Sequence, residues 1–314
     1  MTILFLNQAH PILRKRLEQL GLRCEEDLTS TEGELMSKIG RYEGLVLRSR
    51  VSLRPELLAA ATRLRFIARE GVGLEHIDTE FAASQGIAVL SSPEGSRDTV
   101  GEHALGLLLM LLNHLHRADR QVRAGEWTRE PNRGTEIKGK TIGILGYGNM
   151  GQSFARKVSG LEATVIAYDK YRVDYGDECA QAVELDELQA RADILSIHIP
   201  YDPLNHHFID GAFLDRFQKP IFLINTARGL VLDTASLVRR LESGKVLGAG
   251  LDVLEYEESS FENDSILDWP APFHYLRSAG NVVLSPHIAG WSFESKRGHA
   301  EVLADKIATL LGKG

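Results

Sequence analysis

Three short polar segments have the residue types for chemistry: Asn225-Thr-Ala-Arg-Gly229, Asp252-Val-Leu-Glu-Tyr-Glu257 and Ser285-Pro-His287. Each follows an apolar run of strand type, and open α/β sheets collect ligands just past the carboxyl ends of their strands. Taken singly, each residue has an ordinary reading. Arg228 is then a loop cation, Glu257 one acid in an acidic stretch, and His287 a histidine beside a turn proline. Together the three make a device. Histidine exchanges a proton near neutrality, and a neighbouring carboxylate fixes its tautomer. An arginine fork grips a carboxylate and polarises the oxygen beside it. Next to a redox cofactor, the trio suits hydride transfer at the carbon bearing the hydroxyl of a 2-hydroxy acid.

The cofactor has a place in Lys140 to Lys170. The apolar run Thr141-Ile-Gly-Ile-Leu145 ends at Gly146-Tyr147-Gly148-Asn149-Met150-Gly151; an amphipathic segment and a second apolar run, Ala163 to Tyr168, follow. This is strand, glycine turn, helix, strand. Glycines permit a tight turn, a close approach of backbone to pyrophosphate, and close packing of helix on strand, while the first N–H groups of the helix face the anion. Asp169 ends the second strand about 20 residues on, where a carboxylate accepts hydrogen bonds from ribose hydroxyls. The expected cofactor is therefore NAD, since a 2′-phosphate would meet a like charge; Lys170 and Arg172 nearby are the residues that would suit a phosphate. A bare glycine repeat fits a flexible loop equally well, but here all four parts fall in register.

The elements that position these residues alternate strand and helix along the chain. From residue 3 to about 91 short apolar runs, among them Ile3-Leu-Phe-Leu6, Gly44-Leu-Val-Leu47 and Phe66-Ile-Ala68, alternate with helical patterns, which implies parallel βα units. Arg97 to Ala124 reads as one long helix with a wide apolar middle, suited to burial in a core or against a second subunit. After Asp169 the alternation resumes, interrupted by an acidic, aromatic excursion from Glu255 to Ser278, and a closing helix runs from Ser292 to Leu311. The predicted fold class is α/β, with two doubly wound parallel sheets.

Composition bounds the rest. With 314 residues, 43% hydrophobic, 25% charged and a net charge of −7, the chain has material for sizeable cores and no basic stripe for nucleic acid or a membrane surface. Cys24 and Cys179 lie far apart with no metal-ligand spacing, so no metal is expected and reduced thiols in the cytoplasm are. The longest apolar stretch, Ala104 to Leu112, is too short to span a bilayer.

The order of motifs resembles the D-isomer-specific 2-hydroxyacid dehydrogenase family along nearly the whole chain. The matching segments are Gly71-Val-Gly73 with Ile77-Asp78, Val100 to Ala104, the Gly146 to Gly151 turn with Asp169, His198 with Pro200, Asn225 to Gly229, Asp252 to Glu257, and Ser285 to Gly290. The resemblance implies that Arg228 binds the substrate carboxylate and carbonyl, His287 is the acid/base and Glu257 its partner. It further implies that Thr99, His198, Pro200, Thr226, Ala227 and Asp252 line the cofactor, and that backbone N–H groups about Val72 and Gly73 hold the substrate carboxylate. The family resemblance that the motifs carry implies that residues 94–287 form a Rossmann NAD-binding domain inserted in a flavodoxin-like substrate domain of 1–93 plus 288–314. The first domain and final helix would be a lid hinged near Ser92 and Ala289, and the helix 97–124 the element of a homodimer. Two departures stand out: Glu70 precedes Gly71 where a small residue is usual, and Tyr201 to His207 lacks the threonines frequent after His-x-Pro.

Leu47-Arg48-Ser49-Arg50 bears on the substrate. A solvated basic loop is the plain reading, but two arginines flanking a serine also suit a phosphate, and the pair resembles the phosphate-binding arginines of the family's D-3-phosphoglycerate dehydrogenases. The favoured expectation is D-3-phosphoglycerate, at the entry to serine synthesis, with Arg69 a possible helper. Alternatives are a reductase of glyoxylate, hydroxypyruvate or another short 2-keto acid, and a non-catalytic NAD(H)-sensing corepressor-like protein.

Overall fold

The computed structural model describes residues 1–257 and 266–313. The chain divides into two compact units: Met1–Ser96 joined by the chain from Trp291 on, and the chain from Arg97 to Gly290.

The first unit carries a parallel sheet in the order β2-β1-β3-β4-β5, with β1 at Thr2–Phe5, β2 at Arg23–Glu26, β3 at Gly44–Leu47, β4 at Phe66–Arg69 and β5 at Ala88–Leu90. Successive side chains of a strand point to opposite faces, and the two cores divide accordingly. Leu4, Leu45, Leu47 and Ile67 pack on one face; Ile3, Phe5, Val46, Phe66 and Ala68 pack on the other, against Leu303 and Ile307. The latter pair belongs to the helix Phe293–Leu310, capped at its start by Ser292, whose hydroxyl accepts from Ser295 N. The strand β2, RCEE, buries only Cys24, so no apolar run announced it.

The second unit is a seven-stranded parallel sheet in the order β12-β11-β10-β9-β6-β7-β8. Its strands are β6 Thr141–Leu145, β7 Thr164–Tyr168, β8 Gln181–Ala182, β9 Ile194–Ile197, β10 Ile221–Asn225, β11 Val246–Leu251 and β12 Val282–Leu284. All residues of β9 and β10 are buried, as expected of parallel strands covered on both faces. The order reverses between β6 and β9, the place where such sheets bind ligands.

Two expectations need correcting. The helix expected over Arg97 to Ala124 is two helices, Arg97–Leu112 and Leu115–Arg123, broken at His114 with φ 52°. The carbonyl of Leu112 accepts Thr135 N at 2.9 Å, so the returning chain takes the acceptor that a continuous helix would use. The apolar middle of the first helix is buried in this unit's own core, through Ala104, Leu107, Leu108 and Leu111. The excursion read from Glu255 to Ser278 includes a helix, Ala271–Ser278, with Phe273 and Leu276 buried; residues 258–265 lie outside the described residues. Among the described residues no helix is long and apolar enough to cross a membrane, and no cluster of His, Cys, Asp or Glu suits a metal.

Two buried histidines make stability depend on pH. Burial lowers His198 to about 3; burial lowers His299 to about 4, against the raising effect of its hydrogen bond to the Ser92 carbonyl. Both folded values lie below the unfolded value near 6.5, so between them the unfolded chain binds more protons. Stability is therefore expected to fall as pH drops below about 6.5, by up to about 1.4 kcal/mol per pH unit for each histidine, and to level off below the folded values. Urea unfolding from pH 7 to 4 checks this: His299→Gln should flatten the slope, and an unchanged slope contradicts the assignment.

Candidate active site

The turn after β6 combines three glycines with different constraints. Gly146 has φ 95°, and a Cβ there would lie 2.9 Å from the His198 carbonyl; a Cβ on Gly151 would lie 2.1 Å from Gly146 O. Backbone closeness therefore requires both. At Gly148, which starts the helix Asn149–Val158, a Cβ would meet nothing within 4 Å. That open cradle at the N-terminus of a ten-residue helix fits a pyrophosphate. The Asp169 carboxylate, just past β7, accepts Tyr147 N at 2.8 Å, Tyr171 N at 3.0 Å and Arg172 N at 3.1 Å. It thus ties the turn to the loop after β7. The Arg172 guanidinium donates to the Tyr147 carbonyl, and Lys170 lies over the Tyr171 ring.

Orphaned polar atoms stand at the neighbouring strand ends. His198 Nε2 pairs with Ser196 Oγ at 2.8 Å, while buried His198 Nδ1 and Thr226 Oγ1 have no hydrogen-bond partner among the described residues. Buried polar atoms are normally satisfied, so these two suit the polar groups of a bound cofactor. Ala227 follows, half-buried, its N–H bonded to Asn225 Oδ1 at 3.0 Å. Pro200 is exposed, and Thr99 lies half-buried in the first turn of Arg97–Leu112.

The trio converges on the loops after β10, β11 and β12. His287 Nδ1 lies 2.8 Å from Glu257 Oε2, and Glu257 Oε1 accepts Leu254 N at 3.0 Å. Of the two glutamates in Glu255-Tyr-Glu257, the first turns away: its Oε2 accepts Thr234 N at 3.0 Å and lies 3.2 Å from His207 Nε2. Arg228 Nη1 donates to the Ala227 carbonyl at 2.7 Å, and buried Asn225 donates to the Arg228 carbonyl at 3.1 Å. A Cβ on Gly229 would lie 2.0 Å from Leu254 C. The Arg228 loop and the loop leading to Glu257 can touch only because Gly229 has no side chain.

Asp252, expected to line the cofactor, has its carboxylate taken up by the histidine loop: it accepts Ser285 Oγ at 2.6 Å, Ala289 N at 2.7 Å and Ile288 N at 2.9 Å. His103 Nε2 lies 2.9 Å from Ser285 Oγ and 3.4 Å from Asp252 Oδ1. His103 and Ser285 thus form a supporting pair to which sequence reasoning assigned no role, though both lay within the matched segments.

In the first unit the expected substrate residues separate. Arg50 donates to three backbone carbonyls, Leu6 O, Ser30 O and Asp27 O, each at 2.8 Å. Its fork is thus a clamp inside the domain, where a phosphate ligand was expected. Arg48 and Ser49 are half-buried at the end of β3. The N–H groups of Val72 and Gly73 make no hydrogen bond among the described residues, which leaves a pair of donors for an anion. Arg69 packs its guanidinium where a Cβ on Gly71 would be, 1.2 Å from Nη1.

Comparison with known proteins shows what the chain is similar to. Residues 105–289 match the family described as D-isomer specific 2-hydroxyacid dehydrogenase, NAD binding domain. The chain is 35% identical to the hydroxypyruvate reductase of Thermotoga maritima, over 96% of both chains. It is 31% identical, over 96% of its length, to the D-3-phosphoglycerate dehydrogenase of Archaeoglobus fulgidus, of which it spans 56%. The solved structure of an Aquifex aeolicus D-lactate dehydrogenase complexed with NAD and lactic acid superimposes with a TM-score of 0.82 at 27% identity, covering 100% of this chain and 96% of that one.

The arrangement of Arg50 yields a prediction. Arg50→Ala is expected to cost about 2–4 kcal/mol by leaving three carbonyls without their charged donor, seen as a lower urea midpoint. The ratio of kcat/KM between phosphorylated and unphosphorylated keto acids should not move; a collapse of that ratio would restore Arg50 to phosphate binding.

Proposed function

Because the chain belongs to the D-isomer-specific 2-hydroxyacid dehydrogenases and is an NAD-dependent enzyme, we propose that it reduces a short unphosphorylated 2-keto acid, hydroxypyruvate before glyoxylate, to the D-2-hydroxy acid. One observation carries the choice of substrate: Arg50, half of the expected phosphate-binding pair, has all three guanidinium nitrogens engaged by backbone carbonyls. Arg48 alone is a poor match for a doubly charged phosphate, which is normally gripped by several charge-assisted donors. A relative matched over nearly its full length is a hydroxypyruvate reductase, which supports the same choice.

In this reading Arg228 binds the substrate carboxylate and polarises the adjacent carbonyl; the N–H groups of Val72 and Gly73 are the first unit's own pair of anion donors. Glu257 holds His287 with the hydrogen on Nδ1, which leaves Nε2 to carry the exchangeable proton. The Gly146 to Gly151 turn, Asp169, His198 and Thr226 would hold NAD, which would supply or accept the hydride. As the carbonyl carbon receives hydride, its oxygen takes the proton from His287; oxidation runs the same steps backwards. Residues 1–93 with the closing helix are assigned as the substrate-binding domain. A homodimer through 97–124 is part of the reading, supported by the exposed Leu115 and Val122, and so is a cytoplasmic setting, supported by free Cys24 and Cys179.

Steady-state oxidation of NADH is the test, with hydroxypyruvate, glyoxylate, pyruvate and 3-phosphohydroxypyruvate as substrates and NADPH in parallel. Hydroxypyruvate should lead, with kcat/KM at least about tenfold above the phosphorylated acid, and His287→Gln should lower kcat by about 10²–10⁴. A lead for 3-phosphohydroxypyruvate overturns the substrate in favour of D-3-phosphoglycerate.

A further inference from the structure

The sheet order β2-β1-β3-β4-β5 places a switch point between β1 and β3, and sheets of this order take ligands outside the carboxyl ends of those strands. That edge carries a linked set. His10, following β1, donates its backbone N–H to Glu70 Oε1 at 3.2 Å. Asn7 Oδ1 accepts the backbone N–H of Arg48, just past β3, at 2.8 Å. Glu70, just past β4, has its Oε2 3.8 Å from Arg48 Nε. The guanidinium of Arg48 lies over the Trp291 ring, 4.5 Å from its centroid, which holds its plane.

Glu70 is unusual in two respects. It is 1% exposed, and its Oε2 has no hydrogen-bond partner among the described residues. Burial pushes its carboxyl up from the ordinary range, while the His10 N–H and the charges of Arg48, Lys296 and His10 oppose that. A buried carboxylate without a full set of donors is destabilising, so its presence at the ligand edge asks for a functional account.

We propose that Glu70 is a specificity-determining residue: set behind Arg48, it cancels the charge that this arginine presents, so the site accepts the distal hydroxyl of a 2-keto acid and disfavours a distal phosphate or carboxylate. This rests on the reading of the protein as a 2-keto acid reductase and deepens it. To a third charge several ångströms away, two opposite charges under 4 Å apart act as a dipole rather than a cation. A neutral hydroxyl needs only a donor, and the guanidinium of Arg48 makes no hydrogen bond of its own among the described residues. A phosphate needs net positive charge, which Glu70 reduces by offsetting Arg48. With Arg50 committed to carbonyls, no second fork on the same segment restores it.

The test is Glu70→Gln, which keeps the shape and an acceptor for His10 N and removes only the charge. The ratio of kcat/KM for 3-phosphohydroxypyruvate to that for hydroxypyruvate should rise at least about tenfold, and oxaloacetate should gain relative to pyruvate. A folded variant with an unmoved ratio overturns the proposal. If the variant does not fold, Arg48→Gln reads the same site: preference for hydroxypyruvate over pyruvate should fall by about tenfold or more, and an unchanged preference overturns the proposal equally. The two levels fail differently. A parent enzyme that turns over none of these acids sinks the functional reading, whereas an active parent with an unmoved ratio sinks only the role of Glu70.

Discussion

A single buried anion, the carboxylate of Asp252, holds the reactive loops in place. Burial alone pushes this acid up, but donors from His103, Ser285, Ala289 and Ile288 outweigh it and leave it below its ordinary value. The same residue accepts His287 N on its backbone carbonyl at 2.7 Å. Main chain and side chain of Asp252 thus fix Ser285 to Ala289 from both sides, with His287 at φ 53° between them. That conformation is costly for a residue with a Cβ, and the bonds to its neighbours on either side maintain it. Without the carboxylate, two backbone N–H groups would lose their acceptor and the pairing of His287 with Glu257 would lose its base.

The glycine turn shows the same economy in reverse, with side chains left out. Gly146 and Gly151 lack one because the backbone of His198 and of Gly146 itself already occupies the space; Gly148 lacks one although nothing in the protein is there. The first two are explained by the fold. The third leaves open space at the start of a helix, where a pyrophosphate would fit, and NAD is the cofactor of the family to which the chain belongs.

Strands and turn were legible because parallel strands are apolar along their whole length, and the loops bearing Arg228, Glu257 and His287 were legible because they follow those strands directly. Less regular features escaped for physical reasons. The strand β2 is mostly polar, and the break at His114 depends on Thr135 some twenty residues later taking the Leu112 carbonyl. Arg50 is the instructive case. Leu47-Arg-Ser-Arg50 looks symmetrical, yet the partners that separate the two arginines are carbonyls of residues 6, 27 and 30 and the acid of residue 70. No local pattern encodes which arginine faces spare acceptors, since the chain reaches them only through the order of the sheet.

That asymmetry also bears on how substrate preference can change while the chemistry stays. Arg228, Glu257 and His287 are tied into a mesh in which Gly229, Leu254 and Asp252 each serve more than one partner, so few substitutions there are neutral. The edge at β1, β3 and β4 is different in kind. Arg48 is fastened to Asn7 through its backbone and to Trp291 by stacking, two contacts that do not involve Glu70. A change of charge at residue 70 would leave those two contacts in place, and under the proposed role of Arg48 preference would become a matter of field rather than of shape.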